Sequence, residues 1–273
     1  MKKIIVNLYK SVIKMIDHNG IEHSGYMSFM VLLSIFPFFI FILAFTSFFG
    51  VSELGKKFIQ LALENMPAQS IDSIRHRVNE LMATPPQGFL TLAIIGSLWT
   101  SSSFVECLRT ILNRVYEIKS PPSYCLRRIL SILQFLFIST IISFAMLLLV
   151  ITPIGLQKIP KFVNLIEEYR SIFNFSRYVL IFISLFFTVC SLYYLIPNVK
   201  LKIFEVIPGS FLSVLLWISS GYSLSTYLVY YNQLNIVYGS LGSIIVTLIF
   251  FYVVNMIFIL GAEFNYLMKY SKD

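Results

Sequence analysis

The stretch Asn235–Met268, NIVYGSLGSIIVTLIFFYVVNMIFILGAEFNYLM, decides the fold. From Ser243 to Gly261 its sole ionisable side chain is the phenol of Tyr252. A bilayer hydrocarbon core of about 30 Å takes about 20 apolar residues of helix, so this run has the length of a membrane span. The glycines that precede it, Gly239-Ser-Leu-Gly242, have the look of a phosphate loop. A phosphate loop follows a soluble strand and usually brings a lysine to the phosphate charge. Neither is present, and no lysine occurs between Lys202 and Lys269. Asn235, Tyr238, Gly239 and Gly242 instead mark the outer mouth of the last helix, where unpaired amides carry partial positive charge. Two readings stay open there: binding of an anionic head group, or a tight turn that lets helices pack closely.

The rest of the chain repeats the pattern. Hydrophobic residues make up 57% and charged ones 12%, against about a quarter charged in soluble proteins. Further uncharged runs lie at 24–52, 86–105, 129–157, 178–199 and from Val206 to about Tyr230. Each is continuous rather than alternating, and lipid forces the backbone to satisfy its own hydrogen bonds, so helices fit and short barrel strands do not. The expectation is an all-α, polytopic helical bundle: one integral membrane domain over residues 1–273 with six transmembrane helices. The first run begins inside the chain and lacks a small-residue cleavage site, which predicts an uncleaved helix.

Of the 21 Lys and Arg residues, thirteen fall on the side shared by the two termini and eight on the other. The positive-inside rule therefore places both termini in the cytoplasm. A net charge of +8 could point to nucleic acid, but the basic residues are scattered over every loop without interleaved aromatics. No nucleic acid, cofactor or metal is expected. Cys107 and Cys125 fall on the cytoplasmic side and Cys190 inside the fourth run, so no disulfide is expected.

Residues 1–23 set Ile4, Ile5, Leu8, Val12, Ile13 and Ile16 at helical spacing beside Lys2, Lys3, Lys10 and Lys14, which predicts a cytoplasmic amphipathic helix in the plane of the membrane. The external segment 51–87 places Ile71, Ile74, Val78, Leu81 and Met82 on one face after Ser70 as N-cap, which predicts surface helices. Pro37 predicts a kink in the first span. Small polar residues from Gly96 to Ser103, and seven hydroxyls between Ser210 and Thr226, either line a path or pack helices. Tyr222, Tyr227, Tyr230, Tyr231 and Tyr238 fit an interfacial belt.

Glu106, Arg109 and Asn113 follow the second span, while Asn255 and Glu263 belong to the sixth. An ionisable group at membrane depth faces a partner or a watery cavity. The topology brings the charged ends of both helices to the cytoplasmic side, which predicts an ion pair between Glu263 and Arg109; Asn255, deeper, is expected to hydrogen-bond between helices. The segment Asp17-His-Asn-Gly-Ile-Glu-His23 gathers two imidazoles and two carboxylates, but its glycine and asparagine favour a turn whose side chains do not converge.

Four segments in order resemble the YihY/BrkB family of bacterial inner-membrane proteins: SGYMSFMVLLSIFPFF at 24–39, SLWTSSSFVECLRTILNRVYE at 97–117, LYYLIPNVK at 192–200, and PGSFLSVLLW with YGSLGSIIV and GAEFN. The resemblance covers nearly the whole chain and implies a six-helix inner-membrane fold, without a settled activity to carry over. Some members have borne a ribonuclease BN label. Zinc-dependent hydrolysis needs several converging His and carboxylate ligands, and the chain has His18, His23 and His76, the last on the opposite side of the membrane by the charge count. The nuclease reading is rejected, and no nucleophile with a neighbouring base suggests another enzyme. Two functions remain. One is transport of a lipid or other amphipathic or small solute; the other is a non-transporting scaffold or envelope-maintenance factor among membrane lipids.

Overall fold

The computed structural model describes residues 2–50, 87–119, 122–157, 170–230 and 241–270. The segment 51–86, expected to carry surface helices, and Asn235, Tyr238 and Gly239, expected at the mouth of the last span, lie outside them. The described residues form seven helices and no strand: α1 (Lys2–Asp17), α2 (Gly20–Gly50), α3 (Gln87–Val115), α4 (Tyr124–Gln157), α5 (Arg170–Leu195), α6 (Ile203–Tyr230) and α7 (Leu241–Tyr270). The last six coincide with the six apolar runs. Four of them contain described stretches long and apolar enough to cross a membrane: Tyr124–Ile141, Tyr178–Leu195, Ile203–Tyr227 and Ile244–Tyr270. This is an all-α membrane protein.

The chain divides into two compact units, Leu33–Ser103 and Met1–Leu32 with Phe104–Asp273. In the first, α2 continues through Pro37 to Gly50. The opening half of α3 there buries Ser97, Ser101 and Ser102 and exposes Ile95, Gly96, Trp99 and Thr100, so three serines of the small polar run face inward while the rest of it does not.

In the second unit α7 packs along α6, α6 on α5, α5 on α4 and α1 on α7. Two glycines bring α6 and α7 together. A methyl group at Gly209 would collide with the Gly261 carbonyl and lie 2.6 Å from Asn265; one at Gly261 would collide with Ser213 Oγ and lie 2.5 Å from Tyr193 Oη. Pro208 lacks the amide and crowds the turn before it, and the next amide, Gly209 N–H, donates to Asn265 Oδ1 at 2.6 Å. Tyr193 stacks on Phe258 with ring centroids 4.6 Å apart and donates its hydroxyl to the Phe258 carbonyl at 2.6 Å. Trp217 donates to the Val254 carbonyl at 2.8 Å, and both donors use the spare lone pair of a helical carbonyl.

The hydroxyls of α6 do not form an inward stripe. Ser210 and Ser213 are buried, but Ser219, Ser223 and Thr226 face outward and donate to their own i−4 carbonyls. A hydroxyl satisfied by its own helix is cheap to expose to lipid.

The helix expected near the N-terminus is present as α1, with an arrangement the periodicity does not give. Its buried positions, Asn7, Ser11 and Met15, recur every four residues and are mostly polar, while Ile4, Ile5, Val12, Ile13 and Ile16 are exposed. Ser11 donates to the Asn7 carbonyl at 2.6 Å and Asn7 Nδ2 reaches Met268 Sδ at 3.4 Å, so a polar stripe lies on α7 and the apolar face points away from it. Asn19, at φ 57°, turns the chain from α1 into α2, a left-handed position that asparagine tolerates.

Candidate functional site

Two charged clusters stand in the second unit, and each takes one member of the ion pair expected between Arg109 and Glu263. That pair is not formed.

Arg109, on the closing turns of α3, is 1% exposed. Its Nε–H donates to Glu106 Oε2 at 3.2 Å, one turn earlier. Nη1 donates to Asn198 Oδ1 at 3.3 Å, and Nη2 to Ser131 Oγ at 3.2 Å and to Gln134 Oε1 on α4. Glu106 in turn accepts from Ser131 at 2.8 Å and pairs with Arg127 Nη1 at 3.3 Å. Asn113 donates to Asn198 Oδ1 at 3.3 Å and accepts the Asn198 amide at 2.8 Å. Gln134 closes the ring by donating to the Leu195 carbonyl at the end of α5. A planar guanidinium suits this work, because its five N–H groups diverge in a fixed fork that can tie three chain segments at once.

Glu263 sits on α7 with no exposed surface. Its Oε1 accepts from His18 Nδ1 at 2.6 Å, and its Oε2 is buried without a hydrogen-bond partner. His18 precedes the Asn19 turn and is partly exposed. One turn earlier, Lys14 donates to Glu117 at 2.8 Å and lies 4.2 Å from the ring centroid of Tyr266. The hydrogen bond from Lys14 holds the Glu117 carboxyl below the usual carboxylate range.

The remaining candidates separate from these clusters. Asn255 is buried and donates to Ser28 Oγ on α2 at 3.3 Å, a bond between helices. Gly242 is buried in the first turn of α7. His23 does not converge with His18: it accepts from Arg114 Nη1 at 2.7 Å, and burial, together with that guanidinium, holds its imidazole below the ordinary range. Cys107, Cys125 and Cys190 are free thiols.

Sequence reasoning missed His18, Ser131, Gln134 and Asn198 as partners. Gln134 stands alone as an amide inside an apolar run, and Asn198 lies in the LYYLIPNVK segment; these were the available signals. His18 gave none that pointed to Glu263.

Long apolar helices that carry buried, hydrogen-bonded charges define a polytopic helical membrane protein. The chain is 27% identical over 259 residues to the ribonuclease-like protein YfkH of Bacillus subtilis (strain 168), covering 93% of this chain and 92% of that one. It is 24% identical over 262 residues to a UPF0761 membrane protein of Pseudoalteromonas atlantica, covering 93% and 83%. A UPF0761 membrane protein of Vibrio atlanticus is 24% identical over 247 residues, covering 88% and 75%. No solved structure matches. The family model described as virulence factor BrkB matches residues 12–273, and the chain belongs to that family.

Proposed function

We propose that this chain is a non-enzymatic transport protein of the bacterial inner membrane that moves a lipid or other amphipathic molecule, crossing the bilayer six times with both termini in the cytoplasm. The observation that carries the reading is Glu263: a fully buried, half-satisfied carboxylate inside the apolar stretch Ile244–Tyr270. Such a group costs several kcal/mol to place, and apolar residues of similar volume stabilise a purely structural seam as well or better. An amphipathic solute suits a unit whose interior charges cluster near helix ends while the deeper contact is the Asn255–Ser28 hydrogen bond. The ribonuclease-like wording of one relative's name gains no support from the two described histidines, which serve Glu263 and Arg114 separately.

A non-transporting scaffold is the second reading, favoured by the α6–α7 seam, where two glycines leave no room for a methyl group. Substrate-resolved flux in proteoliposomes separates the two, with lipids tested before soluble solutes. Flux that is lost in a folded Glu263→Gln variant supports transport; wild-type protein that moves none of them sinks it. Cysteines introduced at Lys3 and Lys272 should resist labelling from the periplasm of intact cells, and labelling of either overturns the topology.

A further inference from the structure

Among the described carboxylates, Glu263 is the one with an oxygen buried and without a hydrogen-bond partner. A carboxylate kept for structure has both oxygens occupied, as Glu106 has; Glu263 has Oε1 on His18 at 2.6 Å and Oε2 buried with no partner. His18 is 21% exposed, at the turn between α1 and α2. With Nδ1 committed to the carboxylate, Nε2 is the nitrogen left to exchange protons with water. The other groups facing the pair are Lys14 from α1, Tyr116 and Glu117 from the end of α3, and Tyr266 from α7. Lys14 and Glu117 neutralise each other at 2.8 Å, and the phenols are uncharged near neutral pH. The protons that His18 and Glu263 hold between them therefore set the charge of this interface.

We propose that His18 and Glu263 form a proton-loading site, in which the imidazole carries a proton from water at the α1–α2 turn to the buried carboxylate. Hydronium from bulk water protonates Nε2 and leaves as water, the imidazolium passes its Nδ1 proton to Glu263 Oε1, and the products are a neutral imidazole, a carboxylic acid and water. N–H and O–H bonds alone change, so no co-reactant is needed. Under the transport reading above, on which this last clause rests, loading and unloading of Glu263 couples a proton gradient to movement of the substrate.

The test is infrared difference spectroscopy of the full chain in detergent, titrated between about pH 5 and 9 in H2O and D2O. The site requires a carboxylic-acid carbonyl band that shifts in D2O, titrates, and is lost in Glu263→Gln; in His18→Gln its midpoint moves by about one pH unit. A titrating band that survives in Glu263→Gln, or a midpoint unmoved by His18→Gln, overturns the site. Should Glu263→Gln fail to fold, the His18→Gln midpoint decides alone. Reconstituted flux is read separately. Flux indifferent to an imposed pH gradient overturns coupling and leaves transport standing, whereas a titrating Glu263 without flux supports the proton site and removes the transport reading.

Discussion

Glu106 and Glu263 are two carboxylates on the cytoplasmic side of the proposed topology, and their surroundings are opposite. Glu106 is 17% exposed and uses both oxygens, on Arg127, Arg109 and Ser131. Glu263 is wholly buried and uses one oxygen, on a histidine. The more costly position is thus the less satisfied. The cluster between α3, α4 and the end of α5 is a lock, with both Glu106 oxygens occupied and built around a guanidinium that stays charged. The α1–α7 pair joins a partly exposed imidazole to a buried carboxylate and leaves one acceptor vacant. If the contrast is right, substitutions in the lock act on stability, and those in the pair act on titration.

The largest effect is expected at Arg109. Its loss strands Asn198, Gln134 and part of the Glu106 charge in a buried site, and breaking one side of a buried pair costs about 3–5 kcal/mol. Arg109→Gln should lose an amount in that range in detergent unfolding, with Arg127 holding it toward the lower end. Arg109→Lys should recover a fraction, since an ammonium cannot span the same fork. A loss below about 1 kcal/mol for Arg109→Gln would mean the cluster is wet, and the contrast with Glu263 would collapse.

The α6–α7 seam comes next. Gly209→Ala and Gly261→Ala place a methyl group against backbone or buried hydroxyls, an overpacking that costs about 1–3 kcal/mol. Gly96→Ala and Gly221→Ala meet nothing within 4 Å and should raise stability by about 0.5–1 kcal/mol, because alanine is the better helix former. Equal effects at all four positions would remove the seam as the element that holds α7 in place.

A double-mutant cycle sharpens the comparison itself. His18→Gln with Glu263→Gln should show a coupling of about 1–2 kcal/mol, reduced by the partial exposure of the imidazole. Arg109→Gln with Glu263→Gln should be additive within about 0.5 kcal/mol. The reverse pattern would restore the pairing that chain topology alone suggests.

The helices were legible because long uncharged runs leave the backbone no alternative in lipid, and α2–α7 lie where the runs are. Partner choice was not. Charge counting brings Glu263 and Arg109 to one side of the membrane but says nothing of rotation about each helix axis. Arg109 turns toward Ser131 and Gln134 on α4, and Glu263 toward α1. The amphipathic pattern of α1 predicts a helix with an apolar face for lipid, but not which surface takes its polar stripe. In water the apolar face of a helix goes inward, whereas α1 lays Asn7 and Ser11, with His18 just beyond its end, along α7 and leaves its isoleucines outward, an arrangement suited to lipid. Asn255 was readable because a lone amide deep in an apolar span has to find a partner.

The smallest effect is expected at Lys14–Glu117, which joins the same two regions from the surface. The side chains are 30% and 51% exposed, so removing either should cost less than about 1 kcal/mol. The hydrogen bond from Lys14 holds the Glu117 pKa below the ordinary value, against a smaller opposing effect of burial. Burial lowers the Lys14 pKa, but the hydrogen bond to Glu117 and the charges nearby outweigh it and leave it raised. The carboxylate's contribution is complete above its unfolded pKa of about 4.3 and fades as pH falls through the lower folded value. The ammonium's is complete below about 10.4 and fades as pH rises through the higher folded value. Between these limits the stability difference between wild type and Glu117→Gln should be flat. That plateau spans the pH range over which the proposed His18–Glu263 site is to be titrated. A slope inside it, measured as unfolding free energy against pH, would show that the surface pair and the buried pair titrate as one unit.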